Sequence, residues 1–118
     1  MDVFALDGLE ERFDLFCCFG IVHRVENPLG LLRVLRGRTV SGGTVLVETY
    51  GVSSGDRNGP AIRVSEPGQV YARDAFVYWG LGDACLRRLA QIAGFSRVES
   101  LVDVEVDGHP RIMGRLLA

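Results

Sequence analysis

His23 and Arg24 follow directly on a long apolar run, Phe13 to Val22, and place two complementary chemistries side by side. An imidazole can take a proton from a substrate hydroxyl or amine, and a guanidinium can hold a carboxylate or phosphate. The structural alternative is a pair of ordinary polar residues in a strand-to-helix loop. Tyr50, Tyr78 and Trp79 add flat aromatic faces that suit a nucleobase or another ring, although core packing is the more frequent use of such side chains. Cys17 and Cys18 alternate across one strand with no histidine or helix terminus in view to activate either thiol, and they read as buried filler. Cys85 is distant from both, so the three cysteines do not form a secreted disulfide framework, and a cytoplasmic setting is expected. Without CxxC or HExxH, and with His23 and His109 far apart, no metal site is expected.

These residues must be positioned by regular elements. The run from Phe13 to Val22 is apolar on both faces apart from Asp14 and predicts a strand buried on both sides. Asn27-Pro28 supplies an N-cap and a first-turn proline, and Leu31, Leu32, Val34 and Leu35 recur at helical spacing, which predicts a helix over 28–37. Arg33, Arg36 and Arg38 fall off that stripe and read as a solvated face rather than an RNA-facing patch. Ser41-Gly42-Gly43 reads as a turn, followed by a second buried strand over 44–50. Strand, helix and strand in this order make a right-handed βαβ unit, so the fold class is α/β.

Residues 51–73 carry many glycines, serines and prolines without periodicity and predict a long loop or lid. Asp83 is a candidate cap for a helix over 82–93, with Leu86, Leu89, Ala90 and Ile92 on its core face and Gly94 at its end. Two last strands, 96–106 and 111–117, flank Asp107-Gly108 and are expected to pair antiparallel.

The chain has 118 residues, 47% of them hydrophobic, which suits one compact domain. A net charge of -2 gives no overall positive field to support nucleic-acid binding. All 13 basic residues are arginine, a bias from which no chemistry follows. The amino terminus lacks the pattern of a signal peptide, and no apolar run is long enough to span a bilayer, so no membrane partner is expected.

The segment FDLFCCFGIVHRVENPL, residues 13–29, resembles a motif of class I S-adenosylmethionine-dependent methyltransferases in which FD, an apolar run and GVLYH precede a spaced PL. That match has no gaps, and the similarity continues through LLRVL and through SGGTVLVET, which stands for the usual PGG-x-LVLET. It then passes through Tyr78-Trp79 and from Leu86 to Gly94-Phe95, covering nearly the whole chain. Each piece is common by itself; their order and spacing make the likeness specific. Nearest in pattern is the group that modifies the wobble uridine of transfer RNA, which implies a tRNA base or a small molecule as methyl acceptor.

The resemblance implies a partial Rossmann-like sheet, with residues 1–118 as the carboxyl-terminal part of a single methyltransferase domain. It places Phe19, Gly20 and Ile21 beside the methionine part of S-adenosylmethionine. It also makes Asp2, at what resembles the end of the family's third strand, a candidate for the adenine side, with Asp7 a weaker one. His23 stands at the usual tyrosine position and Arg24 at the usual histidine position, so the catalytic pair departs from the family. Glu48 matches the LVLET glutamate, where a carboxylate could orient a substrate, and Tyr50, Tyr78 and Trp79 would wall the same pocket. The family's glycine-rich loop and ribose-holding acid have no counterpart in these residues.

In that family the first strand lies beside the fourth, and the fifth lies between the fourth and an antiparallel seventh. Leu15 to Ile21 would correspond to the fourth strand and would form an open apolar edge, an aggregation hazard unless something pairs with it. The expected partner is a missing amino-terminal half, a second chain or another copy. A truncated enzyme, one half of a split enzyme and a non-catalytic interaction or dimerisation domain all fit, and cofactor binding by this chain alone is not expected.

Overall fold

A computed structural model describes residues 2–51, 60–64, 77–105 and 111–118. Strand β1, Phe13–Phe19, runs parallel to β2, Thr39–Gly51, and helix α1, Pro28–Gly37, crosses between them. The Asn27 side chain caps α1 by accepting the Gly30 N–H at 2.8 Å, as the Asn-Pro dipeptide predicts. Two short strands, β3 at Ile62–Val64 and β4 at Trp79–Leu81, pair antiparallel, and β4 meets the end of β2 through Gly51 and Leu81. Helix α2, Asp83–Ala93, leads into β5, Val98–Val104, and β6, Arg111–Leu117, which pair antiparallel as expected. Strand β6 also lies antiparallel against β2. The succession β1-β2-β6-β5 therefore matches the strand neighbours that the resemblance implies.

Both helices lie on one sheet face. Leu31, Leu32 and Leu35 of α1 and Cys85, Leu86 and Ala90 of α2 form one buried cluster with Cys18, Val45, Val47, Met113 and Leu117. Strand alternation directs these sheet residues to one side and Leu15, Cys17, Phe19, Leu46 and Glu48 to the other. On the second face, β1 is exposed. Leu15 is 54% exposed and Phe19 55%, so the expectation of a strand buried on both sides is corrected. So is the expectation for Cys17, which is exposed while Cys18 is buried. Apolar patterning reported what β1 needs, but helices cover one of its faces and β2 pairs with one of its edges.

Several local expectations also change. Residues 3–8 form a 3-10 helix rather than a strand end, because Asp2 caps it and Val3, Phe4 and Leu6 fold onto the core. Ser41-Gly42-Gly43 lies within β2 as an irregularity: β1 steps from Phe13 to Leu15 while its partner steps from Thr39 to Thr44. Ile62–Val64 is a strand inside the span read as a loop, the rest of which, apart from Gly51, Pro60 and Ala61, lies outside the described residues. The Asp107-Gly108 turn lies outside them too. Arg36 and Arg38 are not simply solvated. Arg36 Nε donates to Gly94 O at 3.1 Å with its guanidinium 5.9 Å from the Phe95 ring centre, and Arg38 donates to Leu9 O.

Candidate functional site

Strand β1 ends at Phe19, and Gly20 extends its pairing by one hydrogen bond, N–H to Glu48 O at 3.0 Å, before the chain turns away. Gly20 turns at a φ of +70°, a conformation costly for a residue with a Cβ, and no atom lies within 4 Å of where that Cβ would stand. The backbone there is open to close approach. Ile21 then leads into a 3-10 turn, Val22–Arg24, in which the Arg24 N–H donates to Ile21 O at 2.8 Å.

That turn places the His23 ring, which is 2% exposed, against the edge of β2 just beyond the end of β1. Tyr50 N–H donates to His23 Nδ1 at 3.3 Å, and Thr49 Oγ1 lies 3.1 Å from the same nitrogen. The Tyr50 ring packs beside the imidazole with centroids 4.3 Å apart. His23 O accepts the Tyr78 N–H at 2.8 Å, and Trp79 Nε1 donates to Val25 O at 2.7 Å. The turn, the end of β2 and the start of β4 are thus bound together.

Of the predicted site residues, Phe19, Gly20, Ile21, His23, Arg24, Glu48, Tyr50, Tyr78 and Trp79 gather at the carboxyl ends of β1 and β2 and on the segment entering β4. Glu48 pairs in register with Phe19 on one side and Gly114 on the other, half-buried. Asp2 is used differently: its Oδ1 accepts the Phe4 N–H at 3.0 Å. Among the described residues no three histidine, cysteine or acidic side chains gather as metal ligands.

Burial, and after it the Glu48 charge, push the Cys18 thiol up to about 11, so at neutral pH it is protonated and unreactive. Exposed Cys17 is therefore expected to react with Ellman's reagent at pH 8 at least tenfold faster than Cys18. Comparing the rates of Cys17→Ser and Cys18→Ser variants checks this, and equal rates would contradict the burial of Cys18.

The resemblance did not single out Thr49, because a threonine in a β-rich strand carries no signal of what its hydroxyl meets. It also missed a second polar centre. Arg115, 1% exposed, donates from Nε to Asp83 Oδ1 and from Nη2 to Asp103 Oδ1, both at 2.8 Å. Arg87 holds the other Asp83 oxygen at 2.7 Å, and Arg111 lies 3.3 Å from the other Asp103 oxygen. Asp83 is thus not the cap of α2 but its first residue, the cap being Gly82. The Asp83 to Arg87 spacing of one helical turn was the available signal.

Solved structures resemble the fold over nearly the whole chain. The N-terminal domain of EvdMO1, crystallised in the presence of SAH and D-fucose, superposes with a TM-score of 0.69 at 21% identity, over 99% of this chain and 52% of that one. The 1,6-didemethyltoxoflavin-N1-methyltransferase of Burkholderia thailandensis, with its namesake ligand and S-adenosylhomocysteine bound, gives 0.66 at 14% identity, over 95% and 47%. The fold is that of the Rossmann-like methyltransferases. PigF with SAH gives 0.64 at 18% identity, over 97% of this chain and 33% of its own. The chain thus spans about half the length of the first two structures, 52% and 47%. No family model matches it, and no curated protein does.

In open α/β sheets, ligands bind outside the carboxyl ends of the strands. The cluster from Phe19 to Trp79 lies at that edge. No helix among the described residues is long and apolar enough to cross a membrane.

Proposed function

We propose that this chain forms the later half of an S-adenosylmethionine-dependent methyltransferase and contributes the acceptor-side wall of its active site. One observation carries the reading: Phe19, Gly20, Ile21, His23, Glu48 and Tyr50 converge at the ligand-binding edge of a methyltransferase fold. Gly20 leaves backbone open to the methionine part of the cofactor, which fits that group. Methyl transfer by direct displacement depends more on alignment of nucleophile and sulfonium than on any one acid or base. Glu48, Tyr50, Tyr78 and Trp79 would hold the acceptor, a transfer-RNA base or a small ring compound, and His23 and Arg24 would set its orientation. A cytoplasmic setting suits three cysteines that are not joined in a disulfide.

In this reading the glycine-rich loop and the ribose-holding carboxylate would come from residues other than these 118. Among the described residues β1 pairs only with β2, so its other edge is where such a polypeptide would add its strand, and the exposed face with Leu15 and Phe19 is where it would pack. A second reading, an interaction domain pairing that edge with another copy, is favoured by the same exposed side chains.

Isothermal titration with S-adenosylhomocysteine tests the proposal. The 118-residue chain is expected to give no stoichiometric heat, and a domain completed with an apolar strand and glycine-rich loop is expected to bind one equivalent. Clear binding by the chain alone would overturn the incomplete-site part. No binding by the completed domain would overturn the function.

A further inference from the structure

Along one edge of β2 the pairing changes hands, from β1 as far as Glu48 to β4 at Gly51. Between them the backbone of Tyr50 faces the same edge as that of Glu48, since strand residues alternate. The group that meets it is a side chain, the His23 imidazole, whose Nδ1 accepts the Tyr50 N–H at 3.3 Å. A ring nitrogen that accepts a backbone N–H needs its lone pair, so it cannot carry a proton.

Thr49, fully buried, sharpens this. Its Oγ1 lies 3.1 Å from the same nitrogen and 3.5 Å from Tyr50 O. If the hydroxyl proton went to the carbonyl, two lone pairs would face each other at the shorter distance. The hydroxyl therefore donates to Nδ1.

We infer that Thr49 is a positioning residue for His23: with the Tyr50 amide it holds the imidazole neutral, with its proton on Nε2. His23 is then a hydrogen-bond donor rather than the proton acceptor that its residue type suggests. In the methyl transfer proposed above, on which this part rests, His23 does not deprotonate the acceptor, because Nδ1 is taken by two donors and Nε2, buried with the ring, already bears its proton. A backbone amide sets the tautomer, so the assignment does not depend on a movable side chain alone.

Nitrogen-15 NMR of histidine-labelled protein at neutral pH tests the inference, with a His109→Gln variant separating the two histidine spectra. The wild type is expected to show a protonated Nε2, a hydrogen-bonded unprotonated Nδ1, and a slowly exchanging Thr49 hydroxyl proton close to the His23 ring. Thr49→Val is expected to keep the tautomer but shift Nδ1 toward the value of a nitrogen with fewer hydrogen bonds, and Thr49→Ser to restore it. A proton on Nδ1 in the wild type would overturn the inference, as would absence of the hydroxyl signal or a Val variant with an unchanged Nδ1. If the Val variant does not fold, the two wild-type signals decide the matter. None of these signals depends on methyl transfer, so loss of the proposed activity and loss of the tautomer assignment are read separately.

Discussion

Arg115→Met is expected to lower the unfolding free energy by about 3 kcal/mol, read from the midpoint shift in urea. The Arg115 side chain is 2% exposed and holds one oxygen each of Asp83 and Asp103, while Nη1 donates to Val102 O at 3.1 Å and Gly114 O at 2.9 Å. Removing one partner of a buried ion pair costs about 3–5 kcal/mol, because the other charge is left desolvated. Here the low end applies, since Asp83 and Asp103 are 28% and 32% exposed and keep Arg87 and Arg111. The same variant should change acid sensitivity. Burial alone would raise the Asp83 carboxyl, but hydrogen bonds from Arg87 and Arg115 hold it below the ordinary 3.8. A lowered carboxylate stabilises the fold fully above that value and loses the contribution as pH falls through its own. Acid loss through Asp83 therefore falls below pH 3.8 in the wild type and shifts upward in Arg115→Met. Unchanged stability and an unchanged acid limb would show that the ion network does not tie α2 to the β5–β6 pair.

Leu15→Lys with Phe19→Lys is expected to weaken self-association about 100-fold, measured by sedimentation equilibrium. The two side chains are 54% and 55% exposed on a strand that, among the described residues, pairs along one edge only. Burying the remaining half of each contributes about 1–1.5 kcal/mol, and together about 3 kcal/mol, which corresponds to two decades in a dissociation constant. Lysine on an edge also discourages strand addition by its charge. The melting temperature should change little, because neither side chain is buried within the isolated chain. A wild type that stays monomeric at high concentration and melts cooperatively would remove the case for a partner at this edge.

Elements were legible where local physics decides them. Asn27-Pro28 and the leucine repeat define α1 at 28–37 as it is found, and Gly94 ends α2 at a φ of +109°. The β-branched run in β2 and the antiparallel pairing of β5 with β6 followed from composition and a turn dipeptide. The gathering of Gly20, His23 and Glu48 was legible through the motif that the segment from Phe13 resembles, because that order and spacing are tied to one strand-to-helix junction.

Tertiary placement decided the rest. Apolar periodicity says that Leu15 and Phe19 seek cover, but burial depends on a neighbour, and a strand pattern contains no information about which neighbours are present. Arg115 reads in the sequence as one of 13 arginines, and its near-complete burial arises because β5, β6 and α2, distant along the chain, bring two carboxylates to it. His23 offered itself as a base by residue type alone. Which of its nitrogens can take a proton is set by the Tyr50 amide and the Thr49 hydroxyl, 27 and 26 residues away, and such a hydrogen bond exists only once β2 has passed the end of β1.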